Sequence, residues 1–391
     1  MSIDYQQYLS KTAMELKPSG IRKFFDLAAS MEDVISLGVG EPDFTTPWNI
    51  RDQAIGALQD GYTSYTANAG LLELRQEISK YVKRRFDVEY NAENQVIVTV
   101  GASQSLDLAF RAILNPGDEV LIIEPAFVSY ASLVSLAGGV PIRIATNSEN
   151  GFKVTPEQIE AAITDRTKAV LICSPNNPTG TCLNKDELTE LADVIKKHDL
   201  LVISDEIYAE LTYDQAFTSM AAIPGMYERT ILINGFSKGF AMTGWRLGFL
   251  AAPSELIGLM VKIYQYTTMC APHMLQRGAL EALRNSSEQV EYMRQHYWRR
   301  RNFTVQSLNR SGLDCHTPGG AFYVFPSIKR TGLSSEEFAQ ELLQKERVAV
   351  VPGNAFGASG EGYVRCSYAT SIEQLQEAMN RIEQFMDSLQ K

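Results

Sequence analysis

From about residue 95 onward, short apolar runs rich in β-branched residues alternate with longer mixed stretches. The runs are QVIVTV (95–100), EVLIIEP (119–125), KAVLICS (168–174), LLVISDE (200–206) and RTILING (229–235). They are apolar at consecutive positions, the pattern of strands covered on both faces. Between them, stretches such as DELTELADVIKKH (186–198) place apolar residues at helical spacing. This alternation predicts an α/β core, a mostly parallel sheet wrapped by helices.

The last third has a different rhythm. A charged helix is predicted over 288–310, short strands over 321–326, 348–351 and 363–368, and a closing helix over 372–389. That pattern predicts a smaller α+β lobe. No internal repeat or long linker separates it from the core, so the lobes are expected to pack closely.

Composition narrows the picture. A chain of 391 residues suits a two-lobed enzyme better than one small module. A formal charge of −10 argues against nucleic-acid binding, which needs a basic surface. The five cysteines are scattered without a CxxC pair, so neither a disulfide framework nor a zinc site is expected, and a reducing compartment, the cytoplasm, is. The first thirty residues are charged throughout and predict no export signal. The apolar stretch RLGFLAAP (246–253) falls well short of the ~20 residues that span a bilayer, so no membrane association is expected.

In open α/β sheets ligands collect beyond the carboxyl ends of the strands. There the chain places Gly101-Ala102-Ser103, Ala126-Phe127, Asn176-Asn177-Pro178-Thr179-Gly180, Asp205-Glu206-Ile207-Tyr208 and Gly235-Phe236-Ser237-Lys238, each after a different predicted strand. Singly, each has an ordinary explanation: a solvated lysine, a helix-capping aspartate, an Asn-Pro-Gly turn. Their arrival at one rim predicts a binding site, without saying for what.

Six segments, LGVGEPDF (37–44), YTSYTANAG (62–70), SPNNPTG (174–180), SDEIY (204–208), SKGFAMTGWRLG (237–248) and YVRCSYA (363–369), resemble in order and spacing the class I/II aminotransferases of the fold-type I pyridoxal-phosphate family. The resemblance covers essentially the whole chain. PAFVSY (125–130) and GEGYVRCSYA (360–369) look most like its aromatic aminotransferase branch. It implies a large cofactor-binding domain over 46–286 and a small domain formed by 1–45 with 287–391.

The resemblance also implies roles for individual residues. Lys238 anchors pyridoxal 5′-phosphate and carries the proton. Asp205 pairs with the pyridine nitrogen, and its three-residue spacing to Tyr208 puts both near one face if the segment is helical. Tyr208 and Asn177 share the cofactor's O3′. The phosphate is held by the helix opening at Ala102-Ser103, by Ser237, by Arg246 and by Tyr65 of a neighbouring subunit, so a homodimer is implied. Phe127 stacks on the ring. Arg365 grips the substrate α-carboxylate, with Asn177 and Gly40 beside it. Many relatives carry serine three residues before the lysine, where this chain has Gly235. The implied reaction is ping-pong transfer of an amino group between an L-amino acid, aromatic by resemblance, and 2-oxoglutarate. Segment 264–270 is expected to line the side-chain pocket. Aspartate or N-acetyl-diaminopimelate transamination and a pyridoxal-phosphate C–S lyase are the alternatives.

Overall fold

A computed structural model describes residues 3–16 and 31–389. Of the expected N-terminal segment 1–45, residues 1–2 and 17–30 lie outside it. The central sheet comprises β2 (Val96–Thr99), β3 (Glu119–Glu124), β4 (Val140–Ala145), β5 (Thr167–Cys173), β6 (Leu201–Asp205), β7 (Thr230–Gly235) and β8 (Gly248–Ala251). Its spatial order is β2-β8-β7-β6-β5-β3-β4. Strands β4, β3, β5, β6 and β7 pair in parallel, and β8 runs antiparallel between β7 and β2.

Consecutive apolar residues in these strands serve opposite faces. Ala169 and Leu171 of β5 face one cluster, with Leu106 and Phe110 of α4 (Ala102–Ile113), Tyr130 and Val134 of α5 (Ser129–Leu136), and Met260 of α8 (Ser254–Thr267). Val170 and Ile172 face the other, with Ile159 of α6 (Pro156–Ala162) and Leu188, Leu191 and Ile195 of α7 (Lys185–Lys197). Full burial of one such side chain contributes roughly 1.5–3 kcal/mol. Capping boxes start α6 (Thr155 with Gln158) and α7 (Asn184 with Glu187), supplying side-chain acceptors for amides that have no partner within the helix. Helices α2 (Trp48–Gln59), α3 (Leu72–Phe86) and α9 (His273–Asn285) pack together beside β2.

The last third forms an antiparallel sheet ordered β11-β12-β9 from β9 (Tyr323–Val324), β11 (Val351–Pro352) and β12 (Val364–Ser367). Beside it β1 (Ile35–Ser36) pairs in parallel with β10 (Val348–Ala349), so the chain near residue 35 returns to the C-terminal part. Helices α10 (Ser287–Arg310), α11 (Ser335–Glu346) and α12 (Ile372–Ser388) cover these strands, and a short helix α1 (Lys11–Glu15) precedes them all.

Two sequence expectations need adjustment. The run 348–351 is two strands rather than one. β4 was absent from the expected strands because it is an edge strand, largely uncovered and interrupted by Arg143. The stretch RLGFLAAP contains β8, and among the described residues no helix is long and apolar enough to cross a membrane.

Candidate active site

A cavity of about 600 Å³ opens at the carboxyl ends of the sheet strands and runs toward β9 and β12. It is lined by Gly40, Ala102, Ser103, Phe127, Asn177, Asp205, Tyr208, Ser237, Lys238, Arg246 and Arg365, all named from the sequence. Ile207, on the rim named from the sequence, lines it as well, together with Tyr130, Tyr323, Glu41, Leu106, Thr243 and Gly244, which were not anticipated. Tyr130 and Tyr323 belong to elements whose apolar neighbours make them look like core residues, so only their hydroxyl contacts disclose them.

Lys238 follows β7 by three residues and donates from Nζ to the Gly40 carbonyl at 2.6 Å. Its amine also lies 5.8 Å from the ring centre of Tyr208 and 5.7 Å from that of Phe322. Burial brings its pKa down to about 8; Glu41 acts against the fall, Arg365 and Arg246 reinforce it, and Asp205 opposes it weakly. More neutral amine is therefore present near neutrality than an ordinary lysine offers.

Asp205 is the last residue of β6 and is buried. Its Oδ2 accepts from the Tyr130 hydroxyl at 2.7 Å and its Oδ1 from the Ile207 amide at 3.3 Å. Burial raises its pKa, with those two bonds and the Lys238 charge pulling back. The helical reading of Asp205 to Tyr208 is corrected here: Asp205 ends a strand, and Tyr208 precedes a 3₁₀ turn at Ala209–Leu211. Burial holds the Tyr208 hydroxyl well above the usual tyrosine range.

Arg365 on β12 is buried, donating from Nη1 to Asn177 Oδ1 at 2.9 Å and from Nη2 to the Gly38 carbonyl at 2.7 Å. Its Nε has no partner among the described residues. Arg246, in left-handed backbone at φ +53°, bonds the Thr243 carbonyl at 3.1 Å. Helix α4 starts at Ala102 behind Gly101 with no side-chain cap. At Gly101 φ is +80°, and a Cβ there would stand 2.8 Å from Arg246 Nη2, so glycine keeps the space between helix start and guanidinium open.

These features fit pyridoxal phosphate. The cradle at Gly101 joins free helix-start amides to a guanidinium, as a phosphate requires. Among the described residues Asp205 is a buried carboxylate without a cation in contact, which suits a partner that brings its own N–H⁺. Gly235 in place of serine has a steric reason. It pairs with Gly248 across β7 and β8, and a Cβ would lie 2.9 Å from the Gly248 Cα.

Two expectations lie outside this cavity. Tyr65 is 79% exposed and is absent from its lining. No residue of 264–270 lines it either: Tyr264 is buried in the α4–α8 core, Tyr266 is exposed, and the Met269 carbonyl accepts from Asn68 Nδ2 at 2.8 Å. Among the described residues no cluster of His, Cys, Asp and Glu is placed to hold a metal ion, and the five cysteines are unpaired.

A strand-edge lysine and a buried aspartate lining one cavity, with a glycine–arginine cradle shaped for an anion, on a doubly covered α/β sheet, fit a fold-type I pyridoxal-phosphate enzyme. The chain belongs to aminotransferase class I and II, whose family model matches residues 32–382. It is 65% identical over 379 residues to the Bacillus subtilis (strain 168) protein named "Putative aminotransferase YugH", covering 97% of this chain and 98% of that one. It is 50% identical to an aspartate aminotransferase of Pyrococcus abyssi, covering 95% and 96% of the two chains. The crystal structure of an aromatic aminotransferase from Pyrococcus horikoshii superposes with a TM-score of 0.90 at 48% identity, covering 94% of this chain and 99% of that one. The protein is thus a pyridoxal-phosphate-dependent aminotransferase.

Proposed function

We propose that the enzyme moves an amino group between an aromatic L-amino acid and 2-oxoglutarate by a ping-pong mechanism. One observation carries the choice of donor. The cations lining the cavity are Lys238, Arg246 and Arg365, and the cofactor anchor, the phosphate and the α-carboxylate engage all three. The lining at Leu106, Phe127, Tyr130 and Ile207 is apolar or aromatic. Among the described residues no cation lining this cavity is then left for a side-chain carboxylate, which disfavours aspartate as donor.

Bound pyridoxal phosphate supplies the electron sink that lets the substrate Cα–H bond break. The chain's residues do the rest. Lys238 anchors the cofactor and, once released, carries the proton to and from the substrate Cα. Asp205 keeps the pyridine nitrogen protonated, and Tyr130 and the Ile207 amide keep Asp205 oriented. Tyr208 and Asn177 hold O3′. Ala102, Ser103, Ser237 and Arg246 hold the phosphate, Phe127 covers the ring, and Arg365 with Asn177 and Gly40 orients the α-carboxylate.

The same reading gives a cytoplasmic homodimer of two-domain chains, 46–286 and 1–45 with 287–391. Tyr65 of the partner subunit reaches the phosphate, as suits its exposure and its distance from its own chain's cavity. Pairing of β1 with β10 supports the domain division, and the free cysteines support the compartment.

The competing donor is aspartate, because the Pyrococcus abyssi relative carries that name. A panel of donors assayed with 2-oxoglutarate decides between them. Turnover of Phe, Tyr and Trp well above Asp is expected, and Asp as the sole good donor overturns the assignment.

A further inference from the structure

Tyr323 opens β9, is 1% exposed, and lines the cavity, yet the reaction outlined above gives it no task. Three contacts converge on it. Its hydroxyl lies 3.0 Å from the Tyr208 hydroxyl. The Arg365 guanidinium carbon sits 4.5 Å from its ring centre. A Cβ on Gly40, whose carbonyl holds Lys238, would stand 2.7 Å from its hydroxyl, so that position has no room for a side chain while Tyr323 is in place.

Two hydroxyls in contact have two protons and need only one for the bond between them. Burial raises the pKa of both phenols, so both keep their protons. Next after burial, Arg365 acts to lower the Tyr323 pKa, while at Tyr208 it ranks behind Tyr323 and Cys173. Either hydroxyl could donate across this contact, and the Arg365 guanidinium seated over the Tyr323 ring favours Tyr323 as the donor. That leaves the Tyr208 proton free to point into the cavity, strengthened by the bond its oxygen accepts.

We propose that Tyr323 is a positioning residue that couples the Arg365 carboxylate clamp to the Tyr208 hydroxyl. Its ring face holds the guanidinium and its hydroxyl fixes the direction in which Tyr208 donates. A substrate carboxylate engaged by Arg365 is thereby felt at the cofactor oxygen that Tyr208 meets. This inference rests on the site assignment in the preceding section.

The test uses the holoenzyme, titrating its visible cofactor absorbance against pH and measuring binding of 3-phenylpropionate, a carboxylate with no amino group to transfer. Tyr323→Phe keeps the ring and removes the donor. Its titration midpoint is expected to rise on the order of half a unit, since the weakened Tyr208 bond lets the lysine linkage hold its proton to higher pH. Binding of 3-phenylpropionate is expected to stay within about twofold, because the cation–π contact survives. Tyr323→Leu removes that contact and is expected to weaken 3-phenylpropionate binding about tenfold. A Tyr323→Phe midpoint equal to wild type overturns the proposal, as does wild-type affinity in Tyr323→Leu. Tyr323→Phe preserves the packing, so its result stands whether or not Tyr323→Leu accumulates. A wild-type protein that shows no visible cofactor band contradicts the site assignment instead.

Discussion

Lys238 concentrates the chemistry because its surroundings change what an amine is at neutral pH. An exposed lysine has a pKa near 10.4 and is almost wholly protonated there, whereas burial and the two arginines take Lys238 to about 8. The rate at which apo-enzyme captures pyridoxal phosphate is therefore expected to climb with pH and level off above about 8. Stopped-flow absorbance measures it, and a rate still rising tenfold per unit beyond pH 9 contradicts the account. The sequence disclosed Lys238, Asp205, Asn177, Arg246 and Arg365 because each is a polar residue in a segment whose pattern repeats across a family. It disclosed neither Tyr130 nor Tyr323. A tyrosine in SYASLV or AFYVFP has the apolar pattern of a core residue, and only three-dimensional contact with Asp205 or Tyr208 gives its hydroxyl a task.

At the scale of elements, the strands that carry the site were legible where both faces are covered, and obscure where they are not. β5, β6 and β7 announce themselves as unbroken apolar runs, but β4 at the edge does not. Burial at the end of β6 has a further consequence in Glu206. Its Oε1 accepts from Ser204, Ser219 and the Met220 amide, and its Oε2 has no partner among the described residues. Burial raises its pKa from 4.5 to about 7, which those three bonds only partly offset. Between those two values the folded chain keeps a proton that the unfolded chain has lost, so stability declines as pH rises through that window. Glu206→Gln presents the same acceptor without a charge. Its thermal midpoint is expected to equal wild type near pH 4.5 and to exceed it by several degrees at pH 8. Equal midpoints at both pH values contradict a buried, proton-bearing Glu206.

For the whole molecule, the informative residue is one the cavity omits. Tyr65 is named by the family pattern, yet in its own chain it is exposed and belongs to no part of the cavity lining. Tyr266 at 83% exposure and Met269 at 43% share this exposed character, and Met269 is tied to Asn68 of the Tyr65 segment. The proposed partner subunit, covering these residues, would account for both their exposure and the expected phosphate contact. Tyr65→Phe is expected to weaken pyridoxal phosphate binding by about tenfold while leaving the dimer intact, the loss of one charge-assisted hydrogen bond. Equilibrium dialysis with sedimentation checks both halves, and unchanged cofactor affinity rejects the role in trans. The subunit contact of Tyr65 was an expectation from the resemblance, whereas the absence of segment 264–270 from the cavity lining was not legible, because a chain's pattern does not tell a pocket wall from core or exposed surface.

Lys238 is the proposed covalent anchor on which the site depends. Reducing the holoenzyme with borohydride fixes the cofactor to its lysine, and peptide mass mapping locates it. The account predicts the label on Lys238 alone and its loss, with the visible band, in Lys238→Ala. A label on any other lysine, or a Lys238→Ala variant that still transaminates at wild-type rate, contradicts it.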